Sequence, residues 1–156
     1  MTENPSEGSI RIDQATREDL LALAGLLGEL FAQESDFHPD NRKQLAGLAL
    51  ILDNPALGRL FVVRVDGVVA GMANALITVS TAEGGRVAIL EDVIVRERHR
   101  GLGLGRRLVE HVLDWARHEG MTRITLLTDH DNVAGQAFYR KLGFSASEMR
   151  VMRRSL

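Results

Sequence analysis

Three glycines stand at alternate positions, 101, 103 and 105, in the stretch RHRGLGLGRRLVEHVLDWA, just where the apolar periodicity of a helix begins. Glycine in the first helical turn costs about 0.5–1 kcal/mol relative to alanine, so the spacing indicates a need that offsets this cost. Backbone N–H groups are free at a helix N-terminus, and without side chains a diphosphate can lie directly on them. Residues 96–107 also contain five arginines against one glutamate, a local net charge of +4. We therefore predict an anion site here.

Three known phosphate-binding patterns use glycines in this way, and they differ in spacing. The P-loop requires G-x-x-x-x-G-K-[ST], and no lysine in this sequence precedes a serine or threonine. The dinucleotide pattern G-x-G-x-x-G has its third glycine where Arg106 stands, although Asp129 could imitate the acid that binds the ribose. The third pattern, R/Q-x-x-G-x-G/A, is satisfied by Arg100, Gly103 and Gly105. A dinucleotide-binding protein stays an alternative interpretation.

A second motif lies downstream, in NVAGQAFYRKLGF at residues 132–144. Together with the glycine loop, it resembles the GCN5-related N-acetyltransferases, whose pattern N-x-x-A-x-x-x-Y-x-x-x-G-F is met at Asn132, Tyr139, Gly143 and Phe144. The small residue of the pattern is displaced, since position 135 is glycine and the alanine is Ala134. The opening IRIDQATREDLLALAGLL is similar to the first strand and helix of the family. The resemblance covers about residues 10–154.

The resemblance implies that the chain binds acetyl-CoA as its co-substrate. In the family, the strand before the glycine loop splays away from the next strand and offers free backbone groups to the pantetheine arm, while the loop binds the diphosphate. Asn132 stands where a side chain commonly touches the arm. The cofactor-binding residues implied are Val93, Val95, Arg100, Gly101, Leu102, Gly103, Leu104, Gly105, Arg106 and Asn132.

The resemblance also implies the catalytic residues and the reaction. An amine attacks the thioester directly, without a covalent enzyme intermediate. Tyr139 stands at the position of the general acid that protonates the departing sulfur. Glu91 or Asp92 is expected to accept the amine proton, directly or through water. A non-catalytic acyl-CoA sensor or scaffold is the alternative, and Tyr139 argues against it.

The acceptor is expected to be a primary amine of a small molecule or peptide. We expect residues 31–42 to select it, together with Met72 and Asn74. We expect a group of carboxylates to form an acidic entrance to the acceptor site, which would suit a cationic amine. These residues are Glu34, Asp36, Asp40, Glu91 and Asp92.

Composition sets outer limits on the class of protein. A chain of 156 residues with 45% hydrophobic residues fits one domain, assigned to residues 10–156 after a disordered tail at 1–9. No cysteine is present, and we expect no metal. A net charge of −2 and 4% aromatic residues argue against nucleic-acid binding. Without a signal peptide or an apolar run near the ~20 residues of a membrane span, we expect a cytoplasmic protein with no membrane contact, and the family favours a homodimer.

The predicted elements follow the order βααβββαβαβ, a single-domain mixed α/β fold whose sheet is mostly antiparallel and flanked by helices. Asp66-Gly67 predicts a hairpin turn, and residues 86–95 are apolar on both faces, as in an interior strand. The predicted helices are 16–34, 41–53, 103–119 and 132–142. The predicted strands are 10–15, the two arms of the hairpin, 86–95, 122–128 and 147–154.

Overall fold

The computed structural model describes residues 9–33 and 40–156. In chain order the elements are β1 (Ile10–Gln14), a 3-10 turn (Arg17–Asp19), α1 (Leu20–Gln33), α2 (Asn41–Asp53), β2 (Gly58–Val65), β3 (Val68–Ser80), β4 (Gly85–Val95), a second 3-10 turn (Glu97–His99), α3 (Leu104–His118), β5 (Ile124–Leu126) and α4 (Val133–Lys141). The strands form one sheet in the order β1-β2-β3-β4-β5, antiparallel except for the parallel pair β4 and β5. This confirms the predicted mixed α/β fold.

Helices cover both faces of the sheet, so its inner strands carry apolar side chains on both faces. Alternate side chains of β2 show the division: Leu60 and Val62 pack in the cluster formed with α1 and α2. Phe61 and Val63 pack on the other face, with α3 and α4. The two faces are named below the α1/α2 face and the α3/α4 face.

The first helical turn is tied to the sheet by a buried ion pair. The capping box between Thr16 and Asp19 forms as the sequence pattern indicates. Asp19 is 7% exposed, and both of its carboxylate oxygens accept hydrogen bonds from Arg64 on β2 at 2.8 Å. Arg64 also donates to Asp13 on β1. These contacts fix the start of α1 over the edge of the sheet.

Several predicted elements are confirmed. The second helix has the predicted bounds, 41–53, and Asp66 and Gly67 form the hairpin turn with φ values of 50° and 80°. β4 lies inside the sheet, between β3 and β5.

The predicted last strand, 147–154, is wrong. Residues 144–156 form no helix or strand, and their apolar side chains include Met149 and Met152, which are 88% and 95% exposed. An alternating pattern becomes a strand only where a neighbouring strand pairs with it and its apolar face is covered. β5 is likewise shorter than predicted, three residues instead of seven. At the other end, Ser9, assigned to the tail, exchanges hydrogen bonds with Asp66, while residues 1–8 lie outside the described residues.

Asp19→Asn tests the ion pair that anchors α1. The hydrogen bonds from Arg64 lower the pKa of Asp19 below its ordinary value of 3.8. A carboxyl whose pKa is lower in the folded protein than in the unfolded chain stabilises the fold at pH values above the unfolded pKa. This contribution to the free energy of unfolding is lost as the pH falls through the folded pKa. We expect the variant to lose about 2 kcal/mol at neutral pH, less as pH falls below the ordinary pKa, in urea unfolding. Asp114→Asn, which removes an exposed pair with Arg117, is the control and should change stability by under about 0.5 kcal/mol. Equal losses of stability in the two variants would contradict the conclusion that the Asp19–Arg64 ion pair anchors α1.

Candidate active site

A bulge shapes the second half of β4. Glu91 lies opposite Asn74 of β3, and the next paired residue of β4 beyond the irregularity is Ile94, so Asp92 and Val93 together oppose one residue of β3. Asp92 has a positive φ of 54°, which few residues other than glycine adopt. Such a bulge bends the strand and increases its twist.

Beyond Leu90, the edge of β4 that faces β5 pairs with none of the described strands. β4 pairs with β5 only over Ala88–Leu90, so in the described part of the chain its edge is unpaired from Glu91 to Val95. Val93 and Val95 lie in this unpaired stretch, and their side chains pack on the α3/α4 face. The family resemblance implies that the strand before the glycine loop separates from the next strand, and β4 is unpaired with β5 beyond Leu90.

The two carboxylates lie on the α1/α2 face. Asn74 is paired across β2 with Leu60, which packs in the α1/α2 cluster, and across β4 with Glu91. Asn74 Nδ2 donates to Asp92 Oδ2 at 3.2 Å, which brings Asp92 to the same face. Burial raises the pKa of Glu91, the charge of Asp92 raises it further, and Arg153 opposes both. Burial also raises the pKa of Asp92, against the hydrogen bond from Asn74. Raised pKa values suit carboxylates for accepting a proton.

Two glycines of the loop adopt conformations that other residues avoid. Gly101 and Gly103 have φ values of 79° and 74°, and a Cβ built on either would meet no protein atom within 4 Å. Close packing therefore does not explain them, because open space lies above both. Gly105 differs: a Cβ there would lie 3.6 Å from the Phe138 ring, an ordinary contact.

The N-terminus of α3 borders this open space. Gly103 is the N-cap and supplies no side-chain cap, and the first turn contains no acidic residue. Arg106 and Arg107 stand there instead, although positive charge is unfavourable near the positive end of a helix dipole. Free N–H groups, open space and arginines together are what an anion requires.

The remaining loop residues have distinct positions. Arg100 is exposed, and its Nε donates to Val95 O at 2.9 Å, which ties the loop back to the end of β4. Leu104 is buried in the α3/α4 core, whereas Leu102 is exposed. Arg106 forms an exposed ion pair with Glu110 at 2.9 Å.

Tyr139 lies on α4 in an aromatic cluster. Its ring makes edge contacts with Phe138 and Phe144, with ring centroids 5.0 and 5.7 Å away. Burial raises its pKa to about 12. The phenol therefore keeps its proton at neutral pH and can act as a donor.

Asn132 caps α4. Its Oδ1 accepts from the N–H of Gly135 at 3.0 Å, and its Nδ2 donates to Thr128 at 3.4 Å. This structural role fixes the helix that carries Tyr139.

The sheet separates the carboxylates from the phenol. Glu91 and Asp92 face α1 and α2, whereas Tyr139 packs in the α3/α4 cluster. The gap between β4 and β5 lies between these two faces. A group lying in this gap would have the carboxylates on one side and the phenol on the other.

The expected acceptor residues are only partly in place. Met72 is fully buried and Asn74 is 4% exposed, so neither lines an open surface, because both pack under α1 and α2. Asp40 caps α2 by accepting from the N–H groups of Arg42 and Lys43. Glu34 and Asp36 lie outside the described residues.

Residues 9–33 and 40–156 offer neither a metal centre nor a membrane span. No three His, Cys, Asp or Glu side chains in these ranges are grouped so that they could hold a metal ion. None of the helices there combines the length and the apolar character needed to cross a membrane.

Comparison with known proteins defines the class. The model of the Acetyltransferase (GNAT) family matches residues 24–144, and the chain belongs to this family of acyltransferases. Glucosamine 6-phosphate N-acetyltransferase of Trypanosoma brucei brucei is 31% identical over 132 residues, which cover 83% of this chain and 85% of that protein. Several other curated matches cover only part of each chain. The N-acetyltransferase YobR of Bacillus subtilis, itself uncharacterized, is 37% identical over 71 residues, 46% of this chain and 28% of that protein.

Solved structures share the fold. An acetyltransferase structure from Clostridium difficile 630 superposes with a TM-score of 0.86 at 18% identity, over 94% of this chain and 97% of that one. The aminoglycoside acetyltransferase AAC(6')-Iy, in complex with the bisubstrate analogue CoA-S-monomethyl-acetylneamine, superposes with a TM-score of 0.79 at 25% identity, over 95% and 99% of the chains.

The burial of Tyr139 can be measured directly, because the sequence contains one tyrosine. We expect tyrosinate absorbance to appear with a midpoint at pH about 12 instead of the ordinary 10.0, with circular dichroism verifying that the fold persists. Phe144→Leu removes one of the ring contacts, and we expect it to lower the midpoint. A wild-type midpoint near the ordinary value in the folded protein would show that the phenol is not buried.

Proposed function

We propose that this protein is an N-acetyltransferase that transfers an acetyl group from acetyl-CoA to a primary amine by direct attack. One observation carries the proposal: open space lies above the left-handed Gly101 and Gly103, and the unpaired edge of β4 leads along the chain into the same loop. A ligand with a diphosphate and an extended arm would use both features.

The residues present fit acetyl-CoA. Backbone N–H groups of Leu102–Arg106 would bind the diphosphate, with Arg100 adding positive charge. The backbone of Val93 and Val95 would pair with the pantetheine arm as another strand would. Asn132, at the start of α4, would approach the arm from the β5 side of the gap. When bound, acetyl-CoA supplies an activated thioester, so the chain itself needs only to orient groups and move protons.

We assign the proton transfers to three side chains. As the amine nitrogen forms its bond to the acetyl carbon, a carboxylate of the Glu91 and Asp92 pair takes the N–H proton, and the electron pair stays on nitrogen. The C–S bond breaks with its electron pair on sulfur, which receives the Tyr139 proton. The Tyr139 phenolate then takes up a proton from solvent, because the pKa of the phenol is high.

The substrate class is proposed from the relatives and the charges of the site. The similar enzymes are named for a phosphorylated amino sugar and for aminoglycosides, both of which carry primary amines. We propose a primary amine of a small molecule or peptide, approaching from the α1/α2 face where the carboxylates lie. A cytoplasmic location and a homodimer stay predictions.

Thiol release tests the function. Acetyl-CoA is incubated with amino sugars, aminoglycosides, polyamines and peptides, and the acetylated product is verified by mass. With an accepted amine, we expect Tyr139→Phe to lower kcat about 100-fold while acetyl-CoA affinity by calorimetry changes little, because only the hydroxyl is lost. Acetyl-CoA binding without turnover on any amine would indicate a sensor or scaffold. Binding of NAD in place of acetyl-CoA would indicate a dinucleotide-binding protein.

A further inference from the structure

Asn74 and Asp92 form a buried polar pair whose geometry is unusual at both ends. Asn74 is 4% exposed on an otherwise apolar stretch of β3, between Ala73 and Ala75. Asp92 reaches it only because the bulge turns its backbone to a φ of 54°. Strain of this kind persists where the surrounding structure enforces it, and it concentrates at functional sites.

The Asn74 amide has one group paired and one unpaired. Nδ2 donates to Asp92 Oδ2 at 3.2 Å, but Oδ1 is buried and has no hydrogen-bond partner among the described residues. A buried polar atom without a partner is unfavourable and calls for a physical reason. Packing alone does not give one, because an apolar side chain of the same shape would fill the position without that cost.

The two ends of the amide match the two protonation states of the carboxyl. An ionised carboxylate only accepts, so it pairs with Nδ2, as observed. A protonated carboxyl donates through its O–H, and Oδ1 can accept that hydrogen bond once the amide has turned about Cβ–Cγ. Because the two ends of an amide are nearly the same size, this turn needs no additional space.

We propose that Asn74 is a positioning residue that holds Asp92 in both states, donating to the ionised carboxylate and accepting from the protonated carboxyl. This inference rests on the proposed function in one respect, that Asp92 is the carboxylate that takes the amine proton. In that step the N–H bond breaks, the O–H bond forms on Asp92, and the amide turns to accept it. Asn74 thus keeps the Asp92 side chain in one place before and after the proton transfer, with Glu91 beside it on β4.

Other charged groups lie near Asp92. Glu91 precedes it on β4, and Arg153 of the C-terminal segment lowers the pKa of Glu91. From α1, Glu29 approaches Arg96 at 3.8 Å just beyond the end of β4. Among the described residues, Asn74 is the group that bonds to the Asp92 side chain itself.

The first measurement needs no substrate. Carbon-13 NMR follows the Asp92 carboxyl through a pH titration of the wild type and of Asn74→Leu, which has a similar shape and no polar atoms. A hydrogen bond to a charged group is stronger than one between neutral groups, so Asn74 stabilises the ionised carboxylate more than the protonated carboxyl, and we expect the midpoint in the variant to rise by about one pH unit. Asn74→Ala gives the same comparison if the leucine variant does not fold.

Leu60→Val is the packing control, since Leu60 lies opposite Asn74 on the same face and is buried. We expect it to change stability but leave the Asp92 midpoint where it is. An unchanged midpoint in a folded Asn74→Leu or Asn74→Ala protein would overturn the proposal, and so would an equal rise in Leu60→Val.

The second measurement uses any amine that the enzyme accepts. In Asn74→Leu, the acidic limb of the kcat profile should move upward with the Asp92 midpoint, so that activity one pH unit below the wild-type midpoint falls about tenfold. The KM for acetyl-CoA should stay unchanged. A shifted NMR midpoint without any acetyl transfer by the wild type would leave the pairing intact and reject the proposed function. A shifted midpoint with an unmoved activity profile would reject Asp92 as the proton acceptor.

Discussion

The arrangement of the site depends on one constraint: β4 pairs with β3 along most of its length but with β5 over only three residues. A strand inside a sheet normally has both edges filled by its neighbours. Here the bulge at Asp92 turns the second half of β4, and the edge beyond Leu90 is left without a partner among the described strands. The unpaired backbone groups of β4 lead directly into the glycine loop. The exposed strand edge and the N-terminus of α3 therefore follow one another along the chain.

The rest of the fold keeps this irregularity in place. Core packing on both faces and the Arg64 ion pair hold the sheet around it. Phe138 of α4 contacts the region of Gly105, so the helix that carries Tyr139 is placed against the start of α3. Opposite faces of one sheet therefore carry the Glu91 and Asp92 carboxylates and the Tyr139 phenol, which we propose as proton acceptor and proton donor at the gap between β4 and β5. Chemistry that needs little beyond orientation can rely on such a scaffold.

The sequence predicts some elements of the fold and of the candidate site and not others. Periodicity and turn residues were sufficient for the hairpin and α2, and glycine spacing located the loop. Alternation, however, puts consecutive side chains on opposite faces, and the bulge breaks that rule: Leu90, Val93 and Val95 pack on the α3/α4 face. The contact between Asn74 and Asp92 could not be predicted, because no local signal marks a bulge that lacks glycine. The prediction of the last strand failed because alternation does not supply a pairing partner.

We propose that Gly101 and Gly103 serve ligand binding in addition to the left-handed backbone that they hold. Gly103 and Gly120 stand at the two ends of α3 with φ values of 74° and 76°, and a Cβ added to either would have no protein atom within 4 Å. Alanine at either should therefore impose a similar backbone cost of about 1 kcal/mol. Calorimetric titration with acetyl-CoA separates them. We expect Gly103→Ala to weaken binding about tenfold or more, because its Cβ enters the space of the diphosphate, and Gly120→Ala to bind as the wild type does. Equal acetyl-CoA affinity in the two variants would contradict the account.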